Sequence, residues 1–361
     1  MKRITAFILA LVMVLCLTAC GTQANTDNGD DTRGTFVFGG QIGNVDPASG
    51  AYAWVGMRSG VMESLFRLDD SMNVQKNLVD DYSVSDDGLV WTIVLRDGVL
   101  FQSGNIMDAA AVKASLERTC SMQSRAEKEL NIASIEADGN TLTITTREPN
   151  PVLPNCLCDP YSGIVDVKSL DTDGNATVGT GPFKLVEYVE NERLELDAFD
   201  DYWAGKPASK HVTIRSTSDL DASTLALQKG ELDACYGLPY DARDLFDGTS
   251  GFKISQAATS RVYKVYFNLE HEFTGDPNFR KAVCMAIDRV NYASVLVNGA
   301  GTPTKSTFPA ATAFSDEASL TNVPDFDMDG AKALLEQSGY TDSDGDGFLD
   351  KDGKKVSLQI I

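Results

Sequence analysis

Three aspartates and a glycine near the end of the chain, Asp342-x-Asp344-x-Asp346-Gly347, have the spacing of an opening calcium loop. Carboxylates at alternate positions offer hard oxygen ligands, and glycine permits the sharp turn between them. An EF-hand loop also needs a bidentate acid at its twelfth position and a helix on each side. Counted from Asp342 that position is Gly353, and the following "KKVSLQII" reads as a strand. Aspartate and glycine build tight turns without a metal, so residues 342–352 are expected to be a turn with at most weak calcium affinity. No metal site is assigned. Catalytic constellations are missing too: there is no G-x-S-x-G, P-loop or H-E-x-x-H, and His211 and His271 are the only histidines. With 52 acidic against 31 basic residues, close carboxylate pairs arise by chance. The chain does not read as an enzyme, and no cofactor is expected. A net charge of −21 argues against nucleic acid as a partner.

The cysteines divide by position. Lys2 and Arg3 precede the apolar run "ITAFILALVMVLCL", too short for a comfortable membrane span and matching a signal-peptide core. It ends in Leu17-Thr18-Ala19-Cys20, which resembles a bacterial lipobox, so residues 1–19 are expected to be removed and Cys20 lipidated. Residues 20–34 hold almost nothing apolar and read as a flexible tether. The remaining Cys120, Cys156, Cys158, Cys235 and Cys284 are odd in number and irregular in spacing. Small buried side chains are the preferred reading over a disulfide framework, although one or two bridges are compatible with an oxidising compartment.

Strands and helices then follow in mixed order. "GTFVFGG" reads as a strand, "MRSGVMESLFRLD" has helical spacing, and "VSDDGLVWTIVLRDGVLF" is a β-segment with Trp91, Ile93 and Leu95 on one face. Asp108 should cap the helix "AAAVKASLERTC". "IASIEADGNTLTITTREP" predicts a hairpin turning at Asp138-Gly139-Asn140, with Leu142 and Ile144 on a common face. "GPFKLVEYVENERLELDAF" and "RVYKVYFNLE" read as β, and "DLDASTLALQKGEL" as a helix with Leu220, Leu225 and Leu227 among its apolar positions. "PNFRKAVCMAIDRVNYASVL" repeats Phe279, Val283, Ile287 and Val290 at helical steps, and Gly339 should end the helix "DGAKALLEQSGY".

Taken together, "ESLFRLD", "VSDDGLVWTIVLRDGVLFQSG", "VGTGPFKLVEY", "DDYWAGKP", "LQKGELD", "RKAVCMAIDR" and "GYTDSDGDGFLDKDGK" resemble, in order, the family 5 solute-binding proteins of ABC importers. These are the dipeptide, oligopeptide and nickel-chelate receptors. The resemblance implies an α/β, two-lobed periplasmic-binding-protein-like fold of type II, with lobes closing on a ligand. It places the lobe-one core at residues 35–50 and 178–260, an inserted subdomain at 51–177, and lobe two at 268–361. Relatives continue past the last strand, so lobe two is expected to be incomplete here.

The resemblance also points to ligand-contact candidates. Tyr52 and Trp54, after the first strand, offer apolar walls or serve packing. Arg125 resembles in position an arginine near the chelate in nickel receptors, or it is an exposed helix charge. Tyr161 and Ser162 lie in "DPYSG", where the nickel receptors have an arginine that is absent here. Asn268 stands where a strand end could reach a ligand, or it satisfies local backbone. Trp91, Trp203 and Gly179-Thr180-Gly181-Pro182 read as structural. The implied partners are a peptide or other small solute, ABC permease and ATPase subunits, and a membrane reached through the lipid. A monomer outside the cytoplasm is expected, delivering peptides to an importer. The alternatives are a nickel-chelate or other small-solute receptor, and a surface sensor or adhesin.

Overall fold

Alternation in "RLELDA" and "HVTIRS" decides the first sheet: Leu194, Leu196, Val212 and Ile214 are buried and their neighbours in sequence are not. The computed structural model describes residues 35–49, 53–170, 177–257, 259–308, 312 and 315–359. In it, strands β1 (Thr35–Gly40), β8 (Phe183–Val189), β9 (Arg193–Ala198), β10 (His211–Ser216) and β11 (Ala234–Cys235) form one sheet in the order β11-β1-β10-β9-β8. β1 runs parallel to β10 and β11, with Phe38 opposite Ile214, while β10, β9 and β8 are antiparallel. A parallel pair cannot be closed by a tight turn, and the crossover from β1 to β10 contains a second folded body.

That body is the sheet β4-β5-β7-β6, built from β4 (Val79–Val84), β5 (Val90–Leu95), β6 (Ile132–Asp138) and β7 (Thr141–Thr146). Two short strands, β2 (Phe66–Leu68) and β3 (Val74–Lys76), pair beside it. Trp91, Ile93 and Leu95 bury one face of β5 together with Leu142 and Ile144 of β7, as the alternation predicts. Helices α2 (Ala109–Met122) and α3 (Ser124–Leu130) cover this face with Val112, Leu116, Ala126 and Leu130. Val112, Leu116 and Leu130 each contribute about 1.5–3 kcal/mol of burial, the smaller Ala126 less. Asp108 caps α2, accepting from the Ala111 N–H at 2.8 Å.

Between the two bodies the chain packs backbone against backbone. A Cβ on Gly179 would lie 2.2 Å from the Val61 carbonyl oxygen, and one on Gly181 the same distance from that of Gly60. Glu63 closes the joint by accepting from Thr180 Oγ1, Tyr202 OH and Trp203 Nε1, each at 2.9 Å.

A third, smaller core joins α5 (Pro277–Met285) to α6 (Met328–Gln337) through Phe273, Phe279 and Tyr340, after α4 (Leu220–Gln228) has packed near the first sheet. Gly339, at φ +81°, ends α6. The last strands among the described residues are two two-residue strands, β12 (Asp350–Lys351) and β13 (Lys354–Lys355), paired as a hairpin.

Three local expectations are corrected. The helix expected over "MRSGVMESLFRLD" gives way to helix α1 (Ala53–Arg58) and strand β2, because Gly60 turns the chain at φ +74° and Glu63 is drawn into the joint. "RVYKVYFNLE" forms no ladder with any described strand, leaving Tyr263 and Tyr266 79% and 82% exposed. The stripe ending in Ile287 and Val290 is cut when α5 stops at Met285, and Val290 is 66% exposed. The helix expected over "DLDASTLALQKGEL" does form as α4, with Ser223 and Thr224 buried and Leu220 and Leu225 exposed.

Candidate functional site

The loop leaving β1 is held from outside. Asp46 is buried, and its two carboxylate oxygens accept from Arg118 Nη1 at 2.8 Å and Nη2 at 2.6 Å. Its Oδ1 also accepts from the Ala48 N–H at 2.9 Å, and Gln123 Nε2 donates to the Pro47 carbonyl at 3.2 Å. The ion-paired bond to Asp46 raises the Arg118 pKa further above its already high value. Val45 of this loop presents its carbonyl to α1, 2.3 Å from where a Cβ on Gly56 would stand, so α1 fits there only with glycine. The loop therefore sets the position of α1.

On α1, Trp54 and Arg58 are four residues apart and share a face. The Arg58 guanidinium carbon lies 4.3 Å from the Trp54 ring centroid and 5.6 Å from that of Tyr236, just beyond β11. These residues border a cavity of about 220 Å³ at the carboxyl ends of β1 and β10. Its floor is Phe38, Val55 and Ile214, and Gln41 and Ser59 complete its polar edge. In open α/β sheets ligands bind outside the carboxyl ends of the strands. A mostly apolar concavity with a few convergent polar groups suits a small solute. A larger open depression of about 610 Å³ lies on the other face of β10, bordered by Arg193, Glu195, Thr213 and Arg215. There Arg193 is already paired with Glu187, Glu192 and Glu195, and no apolar wall faces the space.

The sequence candidates fall in different places. Cys20 and Tyr52 lie outside the described residues. Trp54 lines the cavity. Arg125, Tyr161 and Ser162 meet at the end of α3: Arg125 donates to Glu129 at 2.8 Å and Asp159 at 2.7 Å, and its guanidinium carbon lies 5.1 Å from the Tyr161 ring centroid. Tyr161 is buried and its hydroxyl donates to Glu129 at 2.8 Å. Burial first, and the Glu129 bond second, push that phenol far above its usual range. Buried Ser162 donates to the Asp159 carbonyl at 2.7 Å. Asn268 is exposed and opens a turn, its side-chain oxygen accepting from the Glu270 N–H at 3.0 Å.

Arg58, Tyr236, Gln41 and Ser59 escaped the sequence reading. The available signal was the four-residue step from Trp54 to Arg58, hidden because the helix was expected to begin at Met57.

In the acidic loop Asp342 accepts from the N–H groups of Gly345, Asp346 and Gly347, at 2.7, 3.1 and 2.9 Å, so its carboxylate closes the turn. Lys355 pairs with Asp346.

A mixed α/β chain with a parallel β1–β10 pair, a second sheet within the crossover between them and a cavity at the strand ends has the architecture of type II periplasmic binding proteins. The family model of bacterial extracellular solute-binding proteins, family 5 middle, matches residues 73–361, and the chain belongs to that family. It is similar to the glutathione-binding protein GsiB of Salmonella paratyphi A, 31% identical over 289 residues, covering 78% of this chain and 56% of that protein. It is also similar to the nickel-binding protein NikA of Staphylococcus aureus, 29% identical over 287 residues, covering 80% and 57%. The crystal structure of S. aureus NikA in complex with Ni(L-His)2 superimposes with a TM-score of 0.75 at 27% identity, covering 85% of this chain and 65% of that one. The chain thus spans a little over half the length of these curated relatives. No helix among the described residues is long and apolar enough to cross a membrane.

Proposed function

We propose that this chain is the extracytoplasmic solute receptor of an ABC importer and that its solute is a short peptide. The observation that carries the reading is the cavity walled by Trp54 and Tyr236 at the carboxyl ends of β1 and β10. Support comes from membership of the family and from similarity to a glutathione-binding relative, since glutathione is itself a tripeptide. In this reading residues 35–50 and 178–260 form the lobe-one core, 51–177 the inserted subdomain, and residues from 268 onward belong to lobe two. The protein acts as a monomer anchored by lipid on Cys20 and hands its solute to separate permease and ATPase subunits. Tyr52, Arg125, Tyr161, Ser162 and Asn268 join Trp54 as contact candidates, contact by Arg125, Tyr161 and Ser162 requiring release of their bonds to Glu129 and Asp159.

Similarity to a nickel-binding relative favours a second reading, a nickel chelate as solute. Against it, the Arg125 guanidinium is already engaged by two carboxylates.

Native mass spectrometry of the chain purified without denaturation from rich medium tests the proposal. Removable adducts at peptide masses are the expected result. Adducts carrying the nickel isotope pattern would replace the peptide reading with the chelate one. A compact chain that stays empty in the presence of peptide mixtures would end both.

A further inference from the structure

The cavity beside α1 contains one charged side chain in a protein whose net charge is −21, and that charge is positive. Among the described residues no hydrogen bond or ion pair engages the Arg58 guanidinium; its partners are the Trp54 and Tyr236 rings. With no hydrogen-bond acceptor engaging it among the described residues, the Arg58 guanidinium has N–H donors to offer, and a planar guanidinium fork matches a carboxylate bidentately. Arg118, Arg125 and Arg193 each have a carboxylate within 3.0 Å. Arg96 and Arg261, like Arg58, meet a ring without a carboxylate partner among the described residues, but neither borders this cavity. Arg58 has rings that hold its position and no acid that neutralises it. Gln41 and Ser59 add polar atoms on the same rim, whereas the floor is apolar.

We infer that Arg58, fixed by Trp54 and Tyr236, is the subsite for a carboxylate of the solute. The solute class is thereby narrowed to small molecules with a free carboxylate, and for a peptide to one bound through its C-terminal acid or an acidic side chain. This rests on the receptor reading above and deepens it. The aromatic pair does more than supply apolar area: it holds the cation where an incoming acid meets it already ordered, which reduces the entropy lost on binding.

The test uses the full chain carrying 15N-labelled arginine, with the Nε–H signal of Arg58 assigned by its loss in R58K. Three probes are titrated: Ala-Ala-Ala with a free C-terminus, the same tripeptide as its C-terminal amide, and propanoate, which has no peptide bond. Calorimetry is run in parallel with wild type and R58Q. The free acid and propanoate should shift the Arg58 signal while the amide does not. Wild type should prefer the tripeptide acid over its amide by about ten-fold or more, the scale of one charge-assisted hydrogen-bonded pair, and R58Q should reduce that preference to within about two-fold. A tripeptide that fails to bind while propanoate still shifts Arg58 would remove the peptide reading and leave the carboxylate subsite standing. Acid and amide binding alike, R58Q keeping the preference, or no shift of Arg58 with either carboxylate would overturn the subsite.

Discussion

Arg118, in the middle of α2, and Asp46, in the loop after β1, form a two-pronged ion pair across two bodies of the fold, with Nη2 2.6 Å from Oδ2. Asp46 is only 4% exposed, so Arg118 rather than water supplies most of its polar contact. Removing one member of a buried pair costs about 3–5 kcal/mol, because the other is left uncompensated. Arg118→Ala should therefore be far more damaging than an exposed substitution such as Arg147→Ala. The double variant Asp46→Asn/Arg118→Ala should recover part of the loss. Urea unfolding of wild type, Asp46→Asn, Arg118→Ala and the double variant reads this directly; additive losses would mean that the two residues are not coupled.

The joint at Gly181 admits no side chain. Gly181→Ala forces the Gly60 backbone to move, at a cost of about 1–3 kcal/mol. Gly98→Ala is the control, since a Cβ there meets nothing within 4 Å, although φ +72° makes it strained in its own right. Thermal unfolding should show a lower midpoint for Gly181→Ala; an unchanged midpoint would mean that the close approach is not maintained in solution.

His211 lies on the solvent face of β10, with Nδ1 2.7 Å from Asp197 and Nε2 2.9 Å from Glu195. The bond to Asp197 first, and the bond to Glu195 after it, raise the imidazole pKa, and partial burial opposes them. A folded-state value above the unfolded one, about 6.5, means that the stabilisation is complete below that pH and is lost as pH rises through the folded value. The stability difference between wild type and His211→Asn should accordingly be larger at pH 6 than at pH 9. A difference independent of pH would show that the histidine contributes through packing alone.

The smallest core depends on Tyr340. Its ring packs on Phe273 and Phe279, and its hydroxyl donates to Asp276 Oδ2 at 3.0 Å, while Asp276 Oδ1 caps α5 through the Asn278 N–H at 2.8 Å. Burial and the Asp276 bond push the phenol up to about 12. Tyr340→Phe should cost about 1 kcal/mol and Tyr340→Ala about 3–5. Hydrogen exchange along α5 and α6 distinguishes the two. Equal exchange in all three chains would show that this core does not support the helices.

Legibility in the sequence followed the range of the interactions. The Asp108 cap and the Trp91, Ile93, Leu95 face are set by residues a few positions apart, and both were readable. The helix expected at Met57 failed because Glu63 answers to Thr180, Tyr202 and Trp203, more than a hundred positions away. The strand over "RVYKVYFNLE" failed because a ladder is a property of two segments, and none of the described strands pairs with this one. At the cavity, the aromatic wall was visible as Trp54. The charge it positions was missed, because Arg58 and Tyr236 meet only when β1 lies between β10 and β11.

The pairing of Thr35 with His211 also sets an order of events during synthesis. β1 is made first, yet its neighbour β10 is made on the order of ten seconds or more later at ordinary elongation rates. Over that interval the inserted sheet, whose hairpins are local, has everything it needs to fold. Phe36 and Phe38 meanwhile lack the part of their core that Val212 and Ile214 supply. A strand made much later closes the first one into place, so damage to β10 is felt at the start of the chain as much as at its own position.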